Sequence, residues 1–281
     1  MRRRRVHPLR IIGLLILLLW SVFPIYWALN TSLMTQSEAQ SSPVHWWPHH
    51  FEWSNYAAVF GHGASSAATG GIGRAIVNTA IESLGATLLT LVIAVVGAYA
   101  FARLRFRLRG VLFYAVLATL TLPVYATLIP LFKILTQLGL VNTYIGIILV
   151  YTSGFLPLAM WIMYSMFQGL PPSIEEAATI DGATTLQIFR RIVLPLVRPG
   201  LAATAIITFL FGWGQFIFPL VLGSTSSTQP LTVTLSSLSG RHIVPFTIIN
   251  AAAIVAIVIP ALIVFVLNRW IVDGIVAGSV K

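Results

Sequence analysis

Leu170-Pro171-Pro172-Ser173-Ile174-Glu175-Glu176-Ala177-Ala178-Thr179-Ile180-Asp181-Gly182, continuing through Phe189-Arg190-Arg191-Ile192-Val193-Leu194-Pro195, is a polar, helix-forming stretch between two strongly apolar blocks. Three of the chain's seven acidic residues, Glu175, Glu176 and Asp181, fall inside it. Pro171-Pro172 ends the preceding apolar helix, because proline lacks an amide donor and restricts its predecessor. Ser173 stands three residues before Glu176, the spacing of a capping box. Glu175 and Glu176 then occupy a first turn where the helix dipole favours anions. Asp181-Gly182 reads as a turn. A second helix from about Thr184 is expected to carry Leu186, Phe189, Ile192, Val193 and Leu196 on one face, with Gln187, Arg190 and Arg191 opposite. Pro195 and Pro199 reset the chain into the next apolar block.

The blocks on either side decide the fold class. Of 281 residues, 57% are hydrophobic and only 9% charged, and the mean hydropathy is +0.89. Soluble domains carry about 25% charged residues. So much apolar surface does not fit in one globular core, and lipid must form part of the solvent. The expectation is an all-α polytopic membrane protein.

Met1 to Arg10 is basic and is followed by an uncharged apolar run, Ile11 to Asn30. At 1.5 Å per residue the run is about 30 Å long, enough to cross a bilayer core. A cleaved signal peptide or twin-arginine signal is the rival reading. The run is long for an h-region and no small-x-small site closes it, which favours a retained helix. Uncharged stretches recur, and polar turns near Thr136–Thr143 and Gly223–Pro230 divide the longest of them. Six spans are expected near 9–30, 75–101, 110–131, 143–168, 200–222 and 246–270. Residues 1–8 precede them, a polar loop (170–199) separates the fourth from the fifth, and a tail (271–281) follows.

The net charge of +10 belongs to short clusters beside apolar runs, a pattern of membrane orientation and not of nucleic-acid binding. With the N-terminus inside, fourteen Lys and Arg residues fall on inner segments. Only Arg74, Lys133 and Arg241 fall on outer ones. The positive-inside rule then places the acidic loop and both termini on the cytoplasmic side. Residues 31–73 become an exported loop in which Trp46, Trp47, Phe51, Trp53 and Tyr56 suit an interfacial belt.

Several chemistries have no support. Cysteine is absent, which removes disulfides and thiolate sites. His45, His49 and His50 invite a metal reading, but no carboxylate or helical spacing organises them in the sequence. They are read as interfacial or solvent-exposed, and no metal is expected. No glycine-rich approach precedes Lys133 or Lys281, so the chain has no Walker A motif. An ion-coupled carrier needs ionisable groups within the bilayer. Glu82 alone qualifies, and near an outer helix end it reads as a snorkelling or helix-start residue. A membrane enzyme needs a catalytic constellation, and none is found. Pro123, Pro130, Pro157, Pro219 and Pro260 kink spans around a possible cavity, with Tyr125, Tyr151, Trp213 and Gln215 as candidate lining for a polar solute. The acidic loop itself is either a docking surface for a partner or an amphipathic hairpin on the membrane.

Glu176-Ala177-Ala178, three residues, Gly182, nine residues, and Ile192-Val193-Leu194-Pro195 resemble the EAA loop of binding-protein-dependent ABC importer permeases. Both spacings match. The resemblance extends to maltose-type carbohydrate permeases over nearly the whole chain. It includes Trp47-Pro48-His49-His50-Phe51-Glu52-Trp53-Ser54-Asn55-Tyr56, the pair Asn78-Thr79 opening the second span, and the C-terminal run Arg269 to Lys281. It implies a permease subunit for a sugar or sugar-like solute, paired with a homologous permease, two ATPase subunits that bind ATP and Mg, and an exported binding protein. The chain itself would hold no cofactor, metal or catalytic residue. It assigns ATPase coupling to Glu175, Glu176, Ala177, Ala178, Asp181, Gly182, Ile192, Leu194 and Pro195 within residues 173–195. An ATPase-interface role falls to Gly274, Ala277, Gly278 and Lys281. Trp213-Gly214-Gln215 departs from the family's Trp-Asn-acid pattern, which alters the lining of the path there.

Overall fold

In chain order the helices are α1 (Pro8–Ser32), α2 (Gln36–Ala39), α3 (Ser54–Val59), α4 (Ile72–Arg103), α5 (Arg109–Ala118), α6 (Val124–Gln137), α7 (Tyr144–Gln168), α8 (Pro172–Ile180), α9 (Thr185–Ile188), α10 (Leu194–Leu196), α11 (Arg198–Trp213), α12 (Ile217–Leu222), α13 (Leu231–Arg241) and α14 (Phe246–Ser279). A 3-10 turn, Thr119–Thr121, follows α5, and a π turn, Phe189–Val193, joins α9 to α10. The computed structural model describes residues 8–62, 71–223, 225, 227–241 and 244–279. The basic residues 2–5 and Lys281 lie outside them. No strand occurs among the described residues. Four helices are long and apolar enough to cross a membrane, or six if two bent pairs each count as one span.

Two of the expected spans are not continuous. The third, near 110–131, is α5 and α6, bent by 105°. Leu122 is extended (φ −70°, ψ 125°) because a residue before proline avoids the helical region. The Thr119 and Thr121 hydroxyls cap the open end by donating to the carbonyls of Val116 and Ala118 at 2.7 Å each. The fifth, near 200–222, stops at Trp213 and resumes at Ile217. Pro219 has no N–H to offer the carbonyl four residues back. That carbonyl, of Gln215, instead accepts from the Thr232 hydroxyl at 2.6 Å. The sixth span has no break at residue 270, since α14 continues through Ser279. What was expected to be a separate tail is therefore helical over its described part.

The chain divides into two compact units. The first is Met1–Arg74 with Thr234–Ile259. Its hub is Asn55, 6% exposed, whose amide donates to the carbonyls of Ser32 (3.0 Å) and Met34 (2.9 Å) and accepts from the Thr247 hydroxyl (3.3 Å). Tyr56 bonds Ser32 at 2.7 Å. The Asn-Tyr pair thus ties the end of α1 to the start of α14. The apolar faces of α1 are exposed, with Trp20 81% accessible, as a lipid-facing helix requires. Trp47, Phe51, Trp53 and Tyr56 form a contiguous run of ring contacts 6.1–6.3 Å apart.

The second unit is Ala75–Val233 with Pro260–Lys281. One face of α4 is a buried polar stripe of Asn78, Thr79, Glu82, Ser83, Thr87 and Thr90. Thr79, Ser83 and Thr87 satisfy themselves by donating to carbonyls four residues back. Asn78-Thr79 also fastens the segment after α12. The Asn78 amide donates to Gln229 O (2.9 Å), and Thr79 Oγ1 accepts from Leu231 N (2.8 Å). Glu82 does not snorkel: it is 1% exposed and lies beside the Tyr151 phenol. It sits at the eleventh residue of a 32-residue helix, too far in to reach the helix end.

Gly146, in the first turn of α7, stands where an added Cβ would collide with the Leu140 carbonyl, whereas at Gly154 a Cβ meets open space. Gly146→Ala should therefore destabilise the purified protein by about 1–3 kcal/mol, as overpacking does. Gly154→Ala should leave the thermal unfolding midpoint unchanged or slightly raised. Equal midpoints for the two variants would contradict this packing.

Candidate functional site

Pro171 and Pro172 start α8, with Pro172 at the first helical position, where its missing N–H costs nothing. The expected Ser173–Glu176 capping box is absent, because Ser173 already lies inside the helix. The α8 C-terminus closes as a Schellman motif. Gly182 N donates to Thr179 O and Ala183 N to Ala178 O, both at 3.0 Å. Gly182 has φ +82°, a conformation that costs L side chains about 1 kcal/mol or more. The capping box of this loop is at Thr184: its hydroxyl accepts from Gln187 N at 3.4 Å, and Gln187 Oε1 accepts from Thr184 N at 2.8 Å.

The second helix widens into the π turn, just before Pro195 withholds its N–H from Arg191. The extra residue in that turn rotates the face expected from 3.6-residue periodicity. Ile188, Val193 and Val197 are buried, while Leu186 and Leu196 are 58% and 49% exposed. Ile192 and Leu194 pack partly against a cluster that includes Ala98, Tyr99, Ala102, Met163, Phe167 and Ala178.

The two adjacent glutamates face different ways. Glu175 turns inward. Its Oε1 accepts from Arg103 Nε at 2.6 Å and its Oε2 from the Tyr99 hydroxyl at 2.9 Å. The other arm of Arg103 donates to Leu170 O at 2.8 Å. Arg103 is the last residue of α4, so one guanidinium ties a transmembrane helix to both ends of the Pro171-Pro172 elbow. Glu176, Ala177, Asp181 and Gly182 are exposed, as is Ile180 at 87%. The nine residues expected to act together thus divide. Glu175, Ala178, Ile192 and Leu194 anchor the loop, Pro195 is half-buried, and Glu176, Ala177, Asp181 and Gly182 form an outer surface. Sequence reasoning missed Ile180 and Leu186 on that surface, and Arg103 and Tyr99 beneath it. Arg103 carried a faint signal, as a basic residue ending a charge-free run.

The candidate path residues separate as well. A cavity of about 720 Å³ is lined by Pro123, Pro130, Pro157, Phe155, Phe211, Phe218 and Gln215, among others. Gln215 alone of the four candidates lines it. Tyr151 and Trp213 are buried in the helix packing, at 1% and 7% exposure, and Tyr125 is 72% exposed on α6. Gly274, Ala277 and Gly278 lie on the last turns of α14.

Residues 86–276 match the family of binding-protein-dependent transport system inner membrane components. The chain belongs to this family. The permease is 33% identical over 274 residues to the sulfoquinovosyl glycerol transport system permease protein SmoH of Agrobacterium fabrum, covering 98% of this chain and 94% of that one. It is 35% identical over 271 residues to the diacetylchitobiose uptake system permease protein NgcG of Streptomyces coelicolor, covering 95% and 87%. The crystal structure of a bacterial ABC transporter involved in the import of the acidic polysaccharide alginate shares its fold, with a TM-score of 0.76 and 24% identity over 95% of this chain and 99% of that one. The permease is therefore a membrane component of a binding-protein-dependent transport system, which favours the transport reading over an ion-coupled carrier or an enzyme.

The half-buried Arg103–Glu175 pair (side chains 13% and 17% exposed) should be what holds the loop on α4. Losing one partner of a charge-assisted bond costs about 1.5–3 kcal/mol. Arg103→Ala is expected to speed hydrogen exchange through residues 172–188, and Glu176→Gln to leave it unchanged. Identical exchange in the two variants would refute the tether.

Proposed function

We propose that the permease forms one half of the translocation path for a sugar or sugar-containing solute. ATPase subunits drive it by gripping residues 173–195. The carrying observation is the outer surface of that loop: Glu176, Ala177, Ile180, Gly182 and Leu186 stand exposed on a frame braced from below by Arg103. Small residues admit a close approach, exposed apolar groups supply a contact, and Glu176 offers a charge to a basic partner. In this reading Glu175 positions the loop and Glu176 meets the partner.

The partners would be a homologous permease, two ATPase subunits that bind ATP and Mg, and an exported substrate-binding protein. Both termini and the loop would lie inside, as the fourteen-to-three asymmetry of basic residues supports. The end of α14, with Gly274, Ala277 and Gly278, would approach the ATPase pair. The sugar reading draws support from the glycoside cargoes in the relatives' names and from the cavity. Phe155, Phe211 and Phe218 give it flat apolar faces and Gln215 an amide, the mixture that suits a sugar ring.

Glu176→Lys or Gly182→Pro, reconstituted with the partner subunits, should reduce substrate-stimulated ATPase activity to the unstimulated level while membrane insertion is kept. Proline cannot adopt the +82° φ of Gly182, and lysine reverses the outer charge. Unchanged stimulation in both variants would end the docking reading.

A further inference from the structure

The histidines that the sequence left without a carboxylate acquire one in three dimensions. Glu38, His45 and His49 each bring one ligating atom to a common point, and these atoms all lie within 4.8 Å of one another. His49 Nδ1 is 2.8 Å from Glu38 Oε1, and the His45 and His49 rings are 4.5 Å apart at 79°. We propose that Glu38, His45 and His49 form a binding site for a transition-metal dication of borderline softness, with Zn²⁺ as its representative. The ion would staple residues 40–49 to α2.

The donor set selects this class of ion. Two imidazoles and one carboxylate match a three-ligand zinc site, with a fourth position open to water. Calcium and magnesium prefer all-oxygen sites, and thiolate-seeking ions find no cysteine. Tetrahedral zinc with bonds of about 2 Å spaces its ligands about 3.3 Å apart. The ligating atoms, all within 4.8 Å of one another, therefore have at most about 1.5 Å to close, and the 63% exposed His49 side chain leaves room for that adjustment.

The frame beneath is fixed. Glu38, with a side chain 11% exposed, sits in α2, which Thr35 caps by accepting from Glu38 N at 3.3 Å. The His45 carbonyl accepts from the Asn30 amide at 3.4 Å, and the Trp46 carbonyl accepts from the Tyr26 hydroxyl, so α1 holds the backbone of the second ligand. The His49 N–H donates to Glu38 Oε1 at 2.7 Å. Burial raises the Glu38 carboxyl pKa, but the His49 N–H, the His49 ring and His45 together outweigh burial and hold it below its ordinary value.

The test is a zinc titration of the untagged full chain in detergent, read by competition with a chromophoric chelator, with hydrogen exchange across residues 40–49 as a second readout. Stoichiometric binding at micromolar zinc, with slower exchange in that segment, supports the site. It should weaken about tenfold or more in His49→Ala and in Glu38→Gln, and persist in His50→Ala. Absence of stoichiometric binding, or binding undiminished in both ligand variants, overturns it. Equal loss in His50→Ala also overturns it, because that marks diffuse histidine binding. Unchanged exchange of the apo Glu38→Gln variant separates loss of a ligand from loss of the fold.

Discussion

Inside a bilayer no water is available to a backbone polar group, so each interruption of a helix must be resolved by the protein itself. Much of the second unit answers that demand. The carbonyl orphaned by Pro219 goes to Thr232, and the chain returning from α12 gives its Leu231 N–H to Thr79. Asn142, with φ +61° between α6 and α7, donates its N–H to Leu222 O at 2.8 Å, while its side-chain oxygen accepts from Thr225 N at 3.3 Å. Thr232, Thr79 and Asn142 thus serve the points where helices stop. The broken spans border the 720 Å³ cavity, through Leu122 and Pro123 at one break and Gln215 and Phe218 at the other.

The loop of residues 170–199 obeys a second logic, in which bracing and outward exposure fall on different faces of the same short helices. Ala178, Ile188 and Val193 are packed inward, Arg103 pairs with Glu175, and the Schellman turn at Gly182 satisfies the carbonyls of Ala178 and Thr179. What remains outside is a surface whose shape is set from behind.

Much of this was legible in the sequence, and the failures are instructive. Hydropathy marked the long apolar helices, because lipid leaves composition little freedom. The Glu176-Ala177-Ala178…Gly182 spacing located the loop, because its bend needs a positive φ. Periodicity misplaced Leu186 and Leu196, because it assumes 3.6 residues per turn and the segment contains a π turn. Glu82 read as a snorkelling residue because a linear sequence does not reveal the buried polar face to which it belongs. Spans three and five read as continuous because proline inside a membrane helix usually only kinks it. The deciding observation, a 105° bend and a carbonyl captured by Thr232, is tertiary. Glu38 and His49, eleven residues apart, share no periodic pattern; only the return of the chain over α2 brings them together.

The Arg103–Glu175 contact joins residues 72 positions apart in the chain, and this alters how the loop should be regarded. Residues 170–199 are not a detachable cassette that happens to sit between two membrane helices. They are one half of a joint whose other half, Tyr99 and Arg103, ends a helix on the far side of the α5–α6 bend. A drift in either half changes the angle at which the whole outer surface is offered. The loop and the end of α4 are therefore a single mechanical part, and a permease that exchanged one without the other would keep its motif and lose its aim.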